Sequence, residues 1–177
     1  MEKIYRTVVR SPIGDIEISG TEREICSVDF VEGKERNRRK ETVSETSPAI
    51  ERCARQLDEY FRGGRQTFDL ELRLSGSPFQ LAVWRHLLTM GFGETASYGD
   101  IAAAMGRPLA SRAVGNANRL NPIGIIVPCH RVIGRSGDLV GNGGGLWRKE
   151  WLLEHEKKSL KSRRVPGTLR TKPSIPS

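Results

Sequence analysis

Three serines constrain the fold of this chain more than any other feature: Ser47 before Pro48, Ser77 before Pro78-Phe79-Gln80, and Ser97 before Tyr98-Gly99-Asp100. A serine ahead of an apolar-periodic run accepts a hydrogen bond from the unpaired N–H groups of a helix's first turn, and proline fits there because that turn has donors to spare. Gln80 and Asp100, each three residues after a serine, complete a reciprocal cap. The first helix puts Ile50, Cys53, Ala54, Leu57, Tyr60 and Phe61 on one face and stops at Gly63-Gly64. The second carries Phe79, Val83, Leu87 and Met90 and closes at Gly91 and Gly93. The third runs from Ser97 through Met105, breaks at Gly106-Arg107-Pro108, and is followed by a fourth from about Leu109 to Arg119. Two short helices joined by a glycine-containing turn have the form of a helix-turn-helix. Arg112 lies near the start of the second of them. Gly115 costs about 1 kcal/mol against alanine inside a helix, so a close neighbour is expected there.

Ahead of these helices the pattern has period two. Ile4 opens an extended run, Ser11-Pro12-Ile13-Gly14 turns it, Ile16 and Ile18 face one way, and Cys26, Val28 and Phe30 form a further row after Ser19-Gly20. A small antiparallel sheet follows, with Cys26 read as a core residue and Cys53 as helix packing. Gly33 to Thr46, with Lys34, Arg36, Arg38, Arg39 and Lys40, reads as a solvated loop. Phe68, Leu70, Leu72 and Leu74 mark a strand or extended link into the second half. Beyond Asn121-Pro122, the apolar run Ile123 to Val127 reads as strand-like. After a glycine-rich stretch, a last helix is expected from about Leu146 to Glu156.

Charge narrows the partners. Of the net +8, residues 157–177 supply 7 basic side chains and no acid, leaving 22 basic against 21 acidic residues elsewhere. That tail, with Pro166, Gly167, Pro173 and Pro176, reads as a disordered basic extension. The informative asymmetry is internal: residues 79–131 hold Arg85, Arg107, Arg112, Arg119 and Arg131 against only Glu94 and Asp100. Arginine is the cation best suited to phosphate and base contacts. Three scattered cysteines suit neither a disulfide framework nor a structural zinc site, and no stretch approaches the roughly 20 apolar residues of a membrane span. Without an apolar leader at Met1-Glu2-Lys3, an intracellular, cytoplasmic location is expected: nucleoid-associated in a prokaryote, nuclear in a eukaryote.

The chemistry gathers at Pro128-Cys129-His130-Arg131. A lone cysteine is usually inert packing. A histidine beside it lowers the thiol pKa, and cysteine with histidine supports nucleophilic catalysis in general. That pairing alone leaves protease, acyltransferase and alkyltransferase open.

Helix-turn-helix arginines, then Asn121-Pro122, then Ile126-Val127-Pro128-Cys129-His130-Arg131-Val132, a glycine-rich loop and Arg148-Lys149-Glu150-Trp151-Leu152-Leu153-Glu154-His155-Glu156 together resemble the O6-alkylguanine-DNA alkyltransferase family. The resemblance covers residues 1–157 and is strongest from Phe79 to Glu156. It implies a ribonuclease H-like α/β domain with a small antiparallel sheet (1–76), a mainly α, winged-helix-like domain with the helix-turn-helix (77–157), and a basic tail (158–177). It implies direct-reversal repair: one irreversible transfer of an alkyl group from O6 of guanine, and from O4 of thymine, to Cys129. His130 matches the base that takes the thiol proton through a water, Glu156 the carboxylate behind it, and Asn121 the brace of the reactive turn. Tyr98 matches the tyrosine that helps rotate the nucleotide out and hydrogen-bonds the flipped base, and Arg112 the finger that fills the vacated stack. Ala110, Ser111, Gly115 and Arg119 are expected at a minor-groove interface, and Val132 and Gly143 along the base pocket. No metal or cofactor is implied. The expected partner is double-stranded DNA bound by a monomer, with cooperative binding left open.

The chain departs from the family where Asn142 stands after Gly141 in place of a tyrosine, in having no Cys/His set for an N-terminal zinc, and in its basic tail. The competing readings are a lesion-binding protein without transfer activity and a cysteine hydrolase. At single positions, Tyr98 can be read as packing, Arg112 as a phosphate contact and Glu156 as a helix end, while His86 and His155 read as structural.

Overall fold

The computed structural model describes residues 2–33, 45–140 and 145–163. The basic cluster at 34–40, Asn142 and Gly143 of the glycine-rich loop, and tail residues 164–177 lie outside the described residues.

The first half is a sheet with one helix against it. Strands β1 (Tyr5–Val9), β2 (Asp15–Gly20) and β3 (Glu24–Val31) pair antiparallel, and a two-residue β4 (Glu71–Leu72) adds to β3 in parallel, giving the order β1-β2-β3-β4. The extended stretch around Leu70–Leu74 is thus a brief strand on an otherwise antiparallel sheet. Helix α1 (Pro48–Phe61) is capped by the Ser47 side chain accepting from Ile50 N at 3.3 Å, and its buried face of Ile50, Cys53, Leu57 and Tyr60 packs with Ile16, Ile18, Ile25 and Val28. One expectation shifts here. Ser19 pairs with Ser27 and Gly20 with Ile25, so Cys26 is the extra residue of a β-bulge. The bulge inverts the alternation: Ile25 is fully buried and Cys26 only partly so.

The second half is helical. Both reciprocal caps form, Ser77 with Gln80 on α2 (Pro78–Leu87) and Ser97 with Asp100 on α3 (Tyr98–Ala104). Helix α4 (Ser111–Arg119) follows the Gly106 turn, and the indole of Trp84 on α2 donates to Ala117 O on α4 at 2.8 Å. Two short parallel strands, β5 (Ala96–Ser97) and β6 (Val132–Ile133), set the reactive segment beside the start of α3. The final helix α5 runs Leu146–Arg163, past the expected end at Glu156. Ser159 and Leu160 explain the extension, because they lie over Gly63 and Gly93. Among the described residues no helix is long and apolar enough to cross a membrane.

The run Ile123–Val127 is not a strand. It makes one bridge to Val28 and then turns, with Ile126 N to Gly124 O at 2.8 Å and Cys129 N to Val127 O at 2.8 Å. Ile125 has φ 69, a left-handed backbone that β-branched residues rarely take. The halves are stitched together at this loop: Val28 N donates to Pro122 O at 3.0 Å and Gly124 N to Val28 O at 3.1 Å. Arg148 of α5 adds a second tie, donating from Nε to Ile13 O at 2.8 Å, pairing with Glu32, and lying between the rings of Phe30 and Trp147.

A methyl group at Gly20 would sit 2.2 Å from Glu24 O, a backbone atom with no room to yield. Gly20→Ala is therefore expected to cost about 1–3 kcal/mol, seen as a lower urea midpoint with an unchanged slope.

Candidate active site and nucleic-acid interface

Cys129 opens a one-turn 3-10 helix (Cys129–Arg131) and is partly buried. Burial pushes its thiol pKa up; the Asn121 side-chain amide, the Lys149 ammonium and the backbone N–H groups of Cys129 and His130 pull it down. Cys53 shows the contrast: burial alone pushes its thiol to about 12, with nothing to oppose it. Asn121 holds the turn from within, donating Nδ2 to Val127 O at 2.8 Å and accepting from Ile123 N at 3.0 Å. Asn118 of α4 adds a second brace, donating to Cys129 O at 3.3 Å.

Next to the cysteine, His130 is 1% exposed, and its Nε2 lies 2.6 Å from Glu156 Oε2. Glu156 is fully buried. Burial alone would raise its pKa, but His130 and Arg131 outweigh it and hold the carboxyl well below the usual range. It also accepts from Arg131 Nε at 2.8 Å, Gly93 N at 2.9 Å and Tyr60 OH at 2.6 Å. A carboxylate only accepts, so Nε2 must carry the imidazole proton and Nδ1 is left with its lone pair. Nδ1 is buried and has no hydrogen-bond partner among the described residues. Burial holds the His130 pKa below its ordinary value, with Glu156 pulling the other way. A neutral histidine with a free lone pair beside a thiol can accept a proton.

Tyr98, at the start of α3, is partly buried, and its hydroxyl donates to Val140 O at 3.0 Å. A Cβ at Gly115 would meet the Tyr98 ring at 3.6 Å, an ordinary contact, so packing inside the protein does not by itself require a glycine there. Val132 is fully buried at the start of β6. On α4, Arg112, Ala113, Asn116 and Arg119 form the exposed face, with Ala110, Ser111 and Gly115 partly exposed beside it. Arg119 donates to Asn116 Oδ1 at 2.6 Å. Arg131, counted in the sequence among the basic residues of this region, instead points inward, 5% exposed, with Nη1 donating to Met90 O at 2.8 Å. His155 packs face to face with Trp151 at 4.9 Å between ring centroids, as a structural residue would. Among the described residues no group of His, Cys, Asp and Glu could hold a metal ion.

Two contributors escaped the sequence reading. Lys149 is fully buried, donating to Val140 O at 2.9 Å and reaching Tyr98 OH at 3.4 Å; burial lowers its pKa and Cys129 opposes that. The signal was present, because Lys149, Leu152 and Glu156 fall at i, i+3 and i+7 on one helical face. Tyr60 lay on the apolar face of α1, where its hydroxyl had no visible partner.

Residues 4–74 match the ribonuclease-like domain of 6-O-methylguanine DNA methyltransferase, and residues 78–158 match its DNA binding domain. A methylated-DNA–protein-cysteine methyltransferase of Methanosarcina barkeri is 44% identical over 158 residues, 89% of this chain and 100% of the relative. One of Mycobacterium tuberculosis is 48% identical over 153 residues, 86% of this chain and 92% of the relative. The crystal structure of an M. tuberculosis O6-methylguanine methyltransferase superposes with a TM-score of 0.80 at 44% identity, covering 94% of this chain and 98% of that one. The M. tuberculosis OGT structure in complex with DNA gives 0.79 at 45% identity, covering 88% and 94%. With both domains matched in order and relatives this similar across most of its length, the chain belongs to the 6-O-methylguanine DNA methyltransferase family.

Proposed function

We propose that this protein repairs alkylated DNA by direct reversal, taking the alkyl group from O6 of guanine onto Cys129 Sγ in a single turnover. The carrying observation is the buried His130–Glu156 pair next in sequence to the partly buried Cys129, with Nδ1 of His130 free of hydrogen-bond partners among the described residues. In this reading residues 1–76 support the site, 77–157 bind DNA and accept the alkyl group, and 158–177 add non-specific phosphate attraction.

The O6 substituent lies on the major-groove edge of the paired base, out of line for a thiol approaching from the minor groove, so the nucleotide must be extruded at a cost of a few kcal/mol. The exposed face of α4 enters the minor groove of double-stranded DNA, where Ala110, Ser111, Ala113 and Gly115 are small enough to allow close approach. Arg112 makes no hydrogen bond or ion pair among the described residues, which leaves it able to fill the vacated stack. Arg119 contacts the backbone. The flipped base lies against Val132 and the glycine-rich loop near Gly143, and Tyr98 exchanges its bond to Val140 O for one to the base.

The proton on Cys129 Sγ passes to His130 Nδ1, directly or across a water, and Glu156 stabilises the resulting imidazolium. Lys149 favours the thiolate through its charge. The sulfur lone pair forms the S–C bond as the C–O6 bond breaks, and the departing guanine takes a proton from the Tyr98 hydroxyl, which the thiol proton held on His130 then restores through water. The thioether is too stable to reverse, so each molecule reacts once.

Intact and peptide mass after mixing with a duplex containing one O6-methylguanine should show a single added methylene on the Cys129 peptide, and none in Cys129→Ala. Binding with unmodified protein and unchanged DNA would assign the chain to lesion recognition without repair. The transfer rate should fall on acidification with a midpoint below the ordinary histidine range, because His130 must be neutral and burial lowers its pKa. Glu156→Gln should slow transfer about 10²-fold or more and, by leaving Arg131 buried without its anion, cost about 3–5 kcal/mol of stability at neutral pH. The folded-state pKa of Glu156 is depressed, so the wild type holds this stability above the usual carboxylate range and loses it as pH falls; the two proteins should converge in acid. Arg112→Ala should slow transfer from duplex DNA about 10–100-fold, the factor for about 1.4–2.7 kcal/mol, and slow transfer from a short single strand less.

A further inference from the structure

Beneath the reactive turn lies a hydrogen bond that crosses between the halves of the chain. Tyr60, on α1 of the first half, donates its hydroxyl to Glu156 Oε2 at 2.6 Å, and His130 Nε2 lies 2.6 Å from the same oxygen. Arg131 Nη2 reaches it at 3.1 Å, while Oε1 accepts from Arg131 Nε at 2.8 Å and Gly93 N at 2.9 Å. Arg131 and Gly93 hold Oε1, and Arg131 reaches Oε2 as well, so the carboxylate has fixed partners besides Tyr60. What Tyr60 adds is competition: a second strong donor on Oε2 draws off electron density that would otherwise bind the imidazole proton.

We propose that Tyr60 is a positioning residue for alkyl transfer, a hydrogen-bond donor from the ribonuclease-like half that sets how strongly Glu156 holds the His130 proton, and thereby how basic His130 is toward Cys129.

The surroundings of Tyr60 support a purpose beyond packing. Its ring sits among Phe61, Phe68, Phe92 and His155, with centroids 5.4, 5.6, 6.1 and 5.2 Å away, a cage that a phenylalanine would fill equally well. Its backbone carbonyl is bonded to His155 Nε2 at 2.7 Å, which holds α1 against α5 independently of the hydroxyl. Burial and the negative charge of Glu156 push the phenol pKa well above its ordinary value, so Tyr60 remains a donor at every working pH. The titratable and charged groups acting on His130 and Glu156 among the described residues are Tyr60 from α1, Arg131 from the reactive turn, and Lys149 from α5. Of these, the Tyr60 hydroxyl is the one that can be removed with no change of charge and little change of shape.

The inference rests on the repair reading for its consequence but not for its geometry, and its test separates the two. The protein is compared with Tyr60→Phe and with a form carrying 3-fluorotyrosine at position 60, a stronger donor of almost the same shape. The NMR resonance of the His130 Hε2 proton reports the bond to Glu156 directly, with no DNA present. It should move downfield in Tyr60→Phe, where Glu156 binds the imidazole more tightly, and upfield in the fluorinated protein. The acid limb of the single-turnover rate on duplex O6-methylguanine DNA should move up by about half a pH unit in Tyr60→Phe and down in the fluorinated protein. A proton resonance unmoved in both, or moved the same way in both, overturns the proposal and leaves Tyr60 as packing. A resonance that moves as expected in a protein that transfers no methyl group overturns the repair reading and leaves the link from Tyr60 to His130 standing. The fluorinated protein keeps the test decisive should Tyr60→Phe fold poorly.

Discussion

Glu156 is the ion on which the architecture converges. A fully buried carboxylate is expensive unless it is neutralised and saturated with donors, and this one is served by four residues from three places: Tyr60 on α1, Gly93 in the loop after α2, and His130 and Arg131 in the reactive turn. Satisfying it requires the first half, the second half and the final helix to be assembled together. The reactive cysteine is carried on the same three-residue turn as two of those donors. Its placement follows from the charge balance beneath it, and Asn121 and Asn118 then lock the backbone from either side.

Electrostatics distinguish this thiol from a packed one. Cys53 and Cys129 both suffer burial, which favours the neutral form. Only Cys129 has a lysine, an amide and its own turn's N–H groups set against that penalty. Lys149 is held by Val140 O and Tyr98 OH, so the residue that tunes the thiol also touches the residue assigned to the substrate base.

Much of this was legible in the residues, and the gaps have physical causes. The serine caps placed three helices, because a cap is local chemistry written in four consecutive residues. The Pro128–Arg131 segment and Glu156 were legible through family resemblance, where spacing alone left several reactions open. Cys26 was misplaced because a bulge reverses the face of every residue beyond it without changing the apolar pattern. Ile123–Val127 read as a strand because hydrophobic content does not reveal a left-handed residue. Lys149 and Tyr60 were missed because a buried lysine looks like a solvated one in a charged stretch, and a hydroxyl on an apolar face gives no hint of a partner 96 residues away.

The left-handed Ile125 bears on where reactivity resides. A β-branched residue at φ 69 costs about 1–3 kcal/mol and persists only where its surroundings impose it. Here the imposition comes from β3, which takes up Pro122 O and Gly124 N through both backbone groups of Val28. A free peptide spanning Asn121 to Val132 would relax out of this shape, and its cysteine would be an ordinary thiol. The nucleophile is in that sense a property of the sheet edge against which its loop is moulded, and chemistry at Cys129 is available only to a chain that has already finished folding.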